Sequence, residues 1–257
     1  MSKTLAVIPA RLASSRFPNK PLKKICGIPM IAHCYYRAQF CKKIDKLILA
    51  TPDREILELS NRLRFNAVIT SDKHERATER ASEVLDSLKT DNQLFDNIIL
   101  LQGDEPQINP HVIDKLVDKI SQSKNDVINL IHPIENKDMT DTNIVKAILN
   151  NNQEIINFTR TAISIHDKSG YRQLGMIGFK AKGIEKFSQL KPSKHEIIES
   201  IDMMRFLDND LKINSLLTQE AVIGVDEEHH IDEVEKKMKN DIFFNRYLLS
   251  YEKSLNN

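Results

Sequence analysis

Two nucleotide-binding signatures are missing from this chain. No glycine-rich loop ending in Gly-Lys-Ser/Thr occurs, and no Gly-x-Gly-x-x-Gly follows the first apolar run. The P-loop nucleotide hydrolases and the Rossmann dehydrogenases are thereby disfavoured. Cysteine is scarce: Cys26, Cys34 and Cys41 form an odd set without zinc-type clustering. That fits reduced, packed thiols in a cytoplasm, not a disulfide framework. No apolar run approaches the roughly 18 residues of a membrane span. Pro9 and Arg11 interrupt the amino-terminal apolar run, so it makes no signal-peptide core. Charge of neither sign prevails, since the net charge is +1 over 257 residues. There is accordingly no electrostatic case for nucleic acid or an anionic membrane as the main partner. The expectation is a protein that stays in the cytoplasm, with a core ample enough at 40% hydrophobic residues to need no staples.

The most informative stretch that is present runs from Val7 to Leu22, Val-Ile-Pro-Ala-Arg-Leu-Ala-Ser-Ser-Arg-Phe-Pro-Asn-Lys-Pro-Leu. Its first residues close an apolar run, 5–8, that reads as a buried strand. The chain then breaks at Pro9 into a loop carrying Arg11, Arg16 and Lys20, with Ala10, Ala13, Ser14 and Ser15 between them. Open α/β sheets bind ligands at the carboxyl ends of their strands. Small side chains let backbone N–H groups approach an anion, and two guanidiniums with an ammonium balance several negative charges. The pattern describes a triphosphate site; the alternative is a solvated basic loop.

Short apolar runs then alternate with helical spacing, the mark of a mainly parallel α/β sheet. Strands are expected at 46–50, 66–70, 97–101 and 126–131, with helices at 29–40, 53–63, 75–88 and 109–121. Beyond that the rhythm changes. Residues 145–149, 154–158 and 173–181 read as antiparallel strands, and 195–207 and 233–251 as helices. No repeat or low-complexity linker appears. The expectation is one domain, 1–257, with an inserted lobe at about 143–220.

A second constellation is Leu100-Leu101-Gln102-Gly103-Asp104-Glu105-Pro106, an apolar strand ending in an acidic turn. Asp104 would project at the same sheet edge as the basic loop. A carboxylate beside phosphates calls for a cation, and magnesium is typically held by one or two carboxylates together with substrate phosphates. Asp226 closes another short apolar run, Ile223-Gly224-Val225, and is the candidate second ligand. The alternative is that both aspartates cap helices. His229-His230 lacks the spacing of four that helical zinc sites use, and reads as part of an acidic helix start.

With these residues in view, the chain resembles the 3-deoxy-manno-octulosonate (Kdo) cytidylyltransferases over nearly its whole length. The likeness rests on the first loop, the Gln-Gly-Asp-Glu-Pro turn, Cys26-Gly27-Ile28-Pro29, Thr78-Glu79-Arg80, Asn143-Ile144-Val145-Lys146, Thr159-Arg160-Thr161, Arg172-Gln173-Leu174-Gly175 and Gly224-Val225-Asp226. The resemblance implies a three-layer α/β nucleotidyltransferase sandwich with a small dimerisation lobe, a homodimer, and a place in lipopolysaccharide biosynthesis. It implies transfer of CMP from CTP to the anomeric hydroxyl of an ulosonic acid, with Mg2+ as cofactor and pyrophosphate released. Arg11, Lys20 and Asp104 would be catalytic. Ala10, Arg11, Ser15, Arg16, Lys20, Arg80 and Gln102 would bind nucleotide. Gln102, Arg160, Gln173, Ile177 and Gln219 would face the sugar, and Asp104 and Asp226 would hold the metal.

The chain departs from the family at several points. Arg76-Ala77-Thr78 stands where the family carries Ser-Gly-Thr on its nucleotide side, while on its sugar side Gln173 replaces a histidine and Ile177 an aromatic residue. The approach to Asp226 is one residue short. Three readings follow: a cytidylyltransferase for Kdo or a close relative; a nucleotidyltransferase for a nonulosonic acid or with another nucleotide; and a nucleotide-binding regulator without turnover. The sugar-side departures point to an acid related to Kdo.

Overall fold

The structure is a computed structural model of the chain and describes residues 2–13, 17–135, 138–163, 170–220 and 222–255. Strand β1 (Thr4–Pro9) is buried throughout. A hairpin follows, β2 (Lys24–Ile25) with β3 (Ile28–Pro29), whose turn places Cys26 and Gly27 at positive φ. Then come α1 (Met30–Ala38), β4 (Lys46–Thr51), α2 (Arg54–Arg62), β5 (Ala67–Ile69), α3 (Ala77–Thr90) and β6 (Asn97–Leu100). Helix α4 (Pro110–Gln122) starts where Asn109 accepts the His111 N–H and Pro110 fills the first turn, where its missing donor costs nothing. After β7 (Val127–Pro133) come β8 (Lys146–Leu149), β9 (Glu154–Thr159) and β10 (Tyr171–Lys180). The chain closes with α5 (Ala181–Gln189), α6 (Lys194–Glu199), α7 (Met204–Leu207), β11 (Ile213–Leu217), α8 (His229–Met238) and α9 (Ile242–Leu255).

Nine strands form one sheet in the order β5-β4-β1-β6-β10-β7-β11-β9-β8. Alternation along each strand feeds two apolar layers. Ala6, Ile8, Leu49 and Ile99 pack with α1, α2, α4, α8 and α9. Leu5, Val7, Ile48 and Ile98 pack with α3, α5 and α7 on the other face. No helix among the described residues is long and apolar enough to cross a membrane.

Several expectations need correction. The sheet is mixed, not mainly parallel: β5-β4-β1-β6 run parallel, but β10 lies antiparallel between β6 and β7. Segment 143–220 is woven into this sheet, because β10 pairs with β6 from Ile177 on and β11 runs parallel to β7. The helix read at 195–207 is two short helices. Ser200 takes a left-handed conformation (φ 54°) that ends α6, and the chain turns before α7. The helix read at 233–251 breaks at Asp241, whose carboxylate accepts the N–H groups of Phe243 and Phe244 and starts α9 afresh. The hairpin, α5 and β11 went unread.

Helix α9 is fastened to α1 by a buried pair. His33 is fully buried; its Nε2–H donates to the Ile25 carbonyl (2.8 Å) and its Nδ1 accepts from the Tyr247 hydroxyl (2.6 Å). Burial, with the Arg37 charge adding, pushes its pKa down to about 4. Protonation therefore favours the unfolded chain. This stabilisation should be complete above about pH 6.5 and fade as pH falls toward 4, by on the order of 3 kcal/mol in all. Urea unfolding of the wild type and His33→Gln at pH 7 and pH 4.5 checks it: the gap between the two chains should narrow at the lower pH.

Candidate active site

A cleft of about 1070 Å³ opens at the carboxyl ends of β1 and β6. Its floor is Pro9, Ala10 and Arg11 after β1, and Gln102, Gly103 and Asp104 after β6. Backbone bonds fix both exits. The Ala10 N–H donates to Ala50 O (2.9 Å), the Leu101 N–H to Val7 O (2.9 Å), and the Leu12 N–H to the Asp53 carboxylate (2.7 Å). Gly103 has to be glycine, because a Cβ there would stand 2.9 Å from Pro9 O and from Ile31 Cδ1.

Lys20 opens a 3-10 turn after Asn19, which sits at φ 58°. Its ammonium donates to Asp104 (2.6 Å) and to Asp226 (3.3 Å). Burial works against the Lys20 charge, yet the two carboxylates outweigh it and hold its pKa above the ordinary lysine value. Asp226 is delivered from far along the chain. The Val225 N–H donates to Asp104 O (2.9 Å), zipping the two acidic segments together. His230 Nδ1 accepts the N–H groups of Asp226 (3.1 Å) and Glu227 (3.2 Å), which fixes the turn into α8.

Behind Asp104, Glu105 is buried, and its Oε1 accepts the Gly175 N–H (3.0 Å). Burial, with the Asp104 charge adding, pushes the Glu105 carboxyl up to about 7. Arg172 spans toward the acidic segment, donating to Val222 O (3.1 Å).

The second wall is built by helix starts and loop corners. Arg80 is 3% exposed, and its guanidinium donates to Thr70, Ser71 O and His74 O, shaping the 70–74 turn. Arg160 donates to Glu199 O (2.9 Å) and Asn143 O (2.9 Å). Lys146, fully buried, donates to Asp141 O and to Arg160 O, and so ties the loops that carry Asn143 and Arg160.

The structure thus brings Ala10, Arg11, Lys20, Arg80, Gln102, Asp104, Arg160 and Asp226 to one cleft. Ser15 and Arg16 lie outside the described residues. Three expected sugar contacts are not among its lining residues. Ile177 is 2% exposed and packs in the core beneath α3 and α5, since strand alternation turns it to that face. Gln173 is engaged by Asn129 Oδ1 (2.6 Å), and Gln219 is exposed. Thr142, Asn143 and Ser200 line the cleft without having been expected there. Asn143 carried a signal, the Asn-Ile-Val-Lys motif; Ser200 carried none. A smaller cavity of about 310 Å³ under edge strand β5 is lined by none of the candidate residues.

A mixed sheet with a cation-rich and carboxylate-bearing cleft at its strand ends fits a nucleotidyltransferase, and the comparisons bear that class out. The model of the cytidylyltransferase family matches residues 5–213, and the chain belongs to that family. The matched span ends before Asp226. The chain is 34% identical over 247 residues to the 3-deoxy-manno-octulosonate cytidylyltransferase of Thermodesulfovibrio yellowstonii, covering 91% of this chain and 97% of that one. The mitochondrial enzyme of the same name from Arabidopsis thaliana is 30% identical, with 93% and 84% covered. Among solved structures, a CMP:2-keto-3-deoxy-manno-octonic acid synthetase complexed with CTP superposes with a TM-score of 0.84 at 30% identity, covering 93% and 99%. A glucose-1-phosphate thymidylyltransferase from Bacillus anthracis shares the fold alone, with a TM-score of 0.69 at 16% identity over 94% and 99% of the two chains.

One packing contact in the site is testable directly. A Cβ on Gly175 would stand 2.1 Å from Gln102 Cγ and 2.9 Å from Glu105 Oε1. Gly175→Ala should destabilise the chain by about 1–3 kcal/mol, the usual cost of overpacking. Thermal unfolding measures it, and Gln102→Ala in the same chain should recover part of the loss.

Proposed function

We propose that the chain transfers CMP from CTP to the anomeric hydroxyl of Kdo. The hydroxyl oxygen bonds to the α-phosphorus, the bond from that phosphorus to the bridging oxygen breaks, and pyrophosphate leaves with its electron pair. The hydroxyl proton passes to solvent. The observation that carries this reading is Lys20 held between Asp104 and Asp226 in a cleft that also presents Arg11. It is supported by relatives and a solved neighbour whose names state that chemistry.

In-line displacement at phosphorus needs alignment and charge neutralisation more than covalent help. Arg11 and Lys20 would balance the β- and γ-phosphates and hold the leaving pyrophosphate. Gln102 would orient the sugar near the α-phosphate, and Arg160 would pair with its carboxylate. Arg80 would act mainly by shaping the wall beside the nucleotide.

Magnesium suits this donor set. Asp104 and Asp226 both reach one ammonium nitrogen, at 2.6 and 3.3 Å, so both can reach one small cation, and phosphate oxygens would complete its shell. When bound there, it would neutralise phosphate charge and acidify the attacking hydroxyl. Lys20 would then turn from the carboxylates to the phosphates.

A homodimer belongs to the same reading. Ile148 and Ile156 stand 37% and 55% exposed on adjacent strands β8 and β9, where alternation turns them away from the core. An apolar face of that kind suits a second copy of the chain. The three free cysteines suit the cytoplasm. With Ile177 in the core, its departure from the family gives no ground for a different sugar acid.

Pyrophosphate release across a matrix of nucleoside triphosphates and ulosonic acids tests the assignment. CTP with Kdo should give the highest kcat/KM; no release with any ulosonic acid would overturn it. Asp104→Asn should lower kcat by about a hundredfold or more, on the scale of a lost electrostatic stabiliser. Lys20→Ala and Arg11→Ala should weaken CTP binding far more than CMP binding in titration calorimetry, because the missing cation acts on the outer phosphates. Ile156→Glu should shift the sedimentation coefficient from dimer to monomer.

A further inference from the structure

Arg76 occupies the position just before α3, and it lines the cleft. Its backbone N–H donates to Glu79 Oε2 (3.2 Å), closing the first turn of α3. Its side chain leaves that helix altogether and reaches α6. There Nε meets Glu196 Oε1 (3.3 Å), Nη1 donates to Ser200 Oγ (2.9 Å), and Nη2 donates to Glu196 O (3.3 Å). The anchor is firm. Glu196 is fully buried and is also gripped by Arg205, at 2.7 Å through Nε and 2.6 Å through Nη2. Arg205 returns to Glu79 (2.9 Å), so the ion network closes on the helix that Arg76 precedes. Thr78 adds a bond to the half-buried Asp202 (2.5 Å) from the same turn.

What this network holds is a corner, Glu199–Ser200. Ser200 sits at φ 54°, a left-handed conformation that a serine adopts at some cost and keeps when its surroundings hold it. From its other side the same corner is held by Arg160, whose N–H donates to Glu199 Oε2 (2.8 Å) and whose Nε donates to Glu199 O (2.9 Å). Arg76 and Arg160 thus grip adjacent residues, and both line the cleft with Ser200. The two arginines lie 84 positions apart and are linked through one corner.

We infer that Arg76 is a positioning residue: through the Glu199–Ser200 corner it sets the placement of the Arg160 guanidinium, and with it the affinity for the acidic acceptor sugar. The inference rests on the proposed cytidylyl transfer. A guanidinium is needed because three acceptors on two sides are met by one planar fork, which a lysine ammonium cannot span. Loss of Arg76 leaves Glu196 paired with Arg205, so the buried carboxylate keeps a partner and the chain keeps its fold.

The test is steady-state pyrophosphate release with CTP and Kdo for the wild type, Arg76→Ser, Arg76→Lys, Ser200→Ala and the double variant Arg76→Ser with Ser200→Ala, with thermal unfolding of each. In both Arg76 variants KM for the sugar acid should rise about tenfold, the size of one lost charge-assisted contact. KM for CTP should stay within about twofold, since the phosphate cations are untouched. Ser200→Ala should move the same constant in the same direction, and the double variant should be no worse than Arg76→Ser, as expected of one shared path. Several results would overturn the inference: an effect on KM for CTP alone makes Arg76 a nucleotide contact, equal effects on both constants make it a general support, and no effect makes it idle. A wild type that turns over normally while the variants show any of these patterns sinks the inference and leaves the function standing. A wild type that releases no pyrophosphate sinks the function, and the inference with it.

Discussion

One ammonium group shared by two carboxylates organises this molecule. Lys20, Asp104 and Asp226 come from the first loop, the middle of the chain and its last third, and they meet within 3.3 Å. Either aspartate without a counter-charge would repel the other. With Lys20 between them they form a compact, partly exposed cluster in which one ammonium offsets one of the two negative charges. It also explains the turns around it: Gly103 is forced by the close approach of Pro9 O, and the Val225–Asp104 backbone bond by the need to deliver Asp226.

The sheet was largely legible because each strand of its parallel half is an apolar run bounded by polar turns. Ala6 and Ile8 pack on one face and Leu5 and Val7 on the other, which is why those runs are continuous and not alternating. Strand β11, Ile-Asn-Ser-Leu-Leu, escaped notice because its Asn214 and Ser215 are satisfied by Asn125 and Gln153, partners that no local pattern reveals. Apolar spacing continues across the break between α6 and α7, and what separates them is the left-handed backbone of Ser200 with the turn through Met203.

The site divides along the same line. The end at the exits of β1 and β6 is built from short neighbouring stretches, Ala10 and Arg11 with Lys20, and Gln102 to Asp104, so short sequence patterns carry it. The far wall is built by ion pairs between residues distant in sequence. Arg76 with Glu196 spans 120 positions and Arg205 with Glu79 spans 126, and such pairs leave no period to read. Ile177 shows the opposite error. A position placed by likeness at the sugar is turned into the core by the strand alternation of β10, and that orientation depends on a register shift between Gln173 and Ile177.

The carboxyl-terminal helices link the site to the stability of the whole chain. Asp226 is fixed from one side by Asp104 and from the other by His230 at the start of α8. Helix α8 is in turn tied to the hairpin, where Glu235 accepts the Cys26 N–H (2.6 Å). Helix α9 is tied to α1 by Tyr247 with His33, and by a partly buried ion pair between Arg37 and Asp241 at 2.8 Å. Arg37 also donates to Ile108 O (2.6 Å), which follows the acidic turn after β6. The last third of the chain therefore does more than cover apolar surface. It carries one carboxylate of the central cluster and braces the loop that carries the other, so the anchoring of α8 and α9 bears on the site as well as on the core.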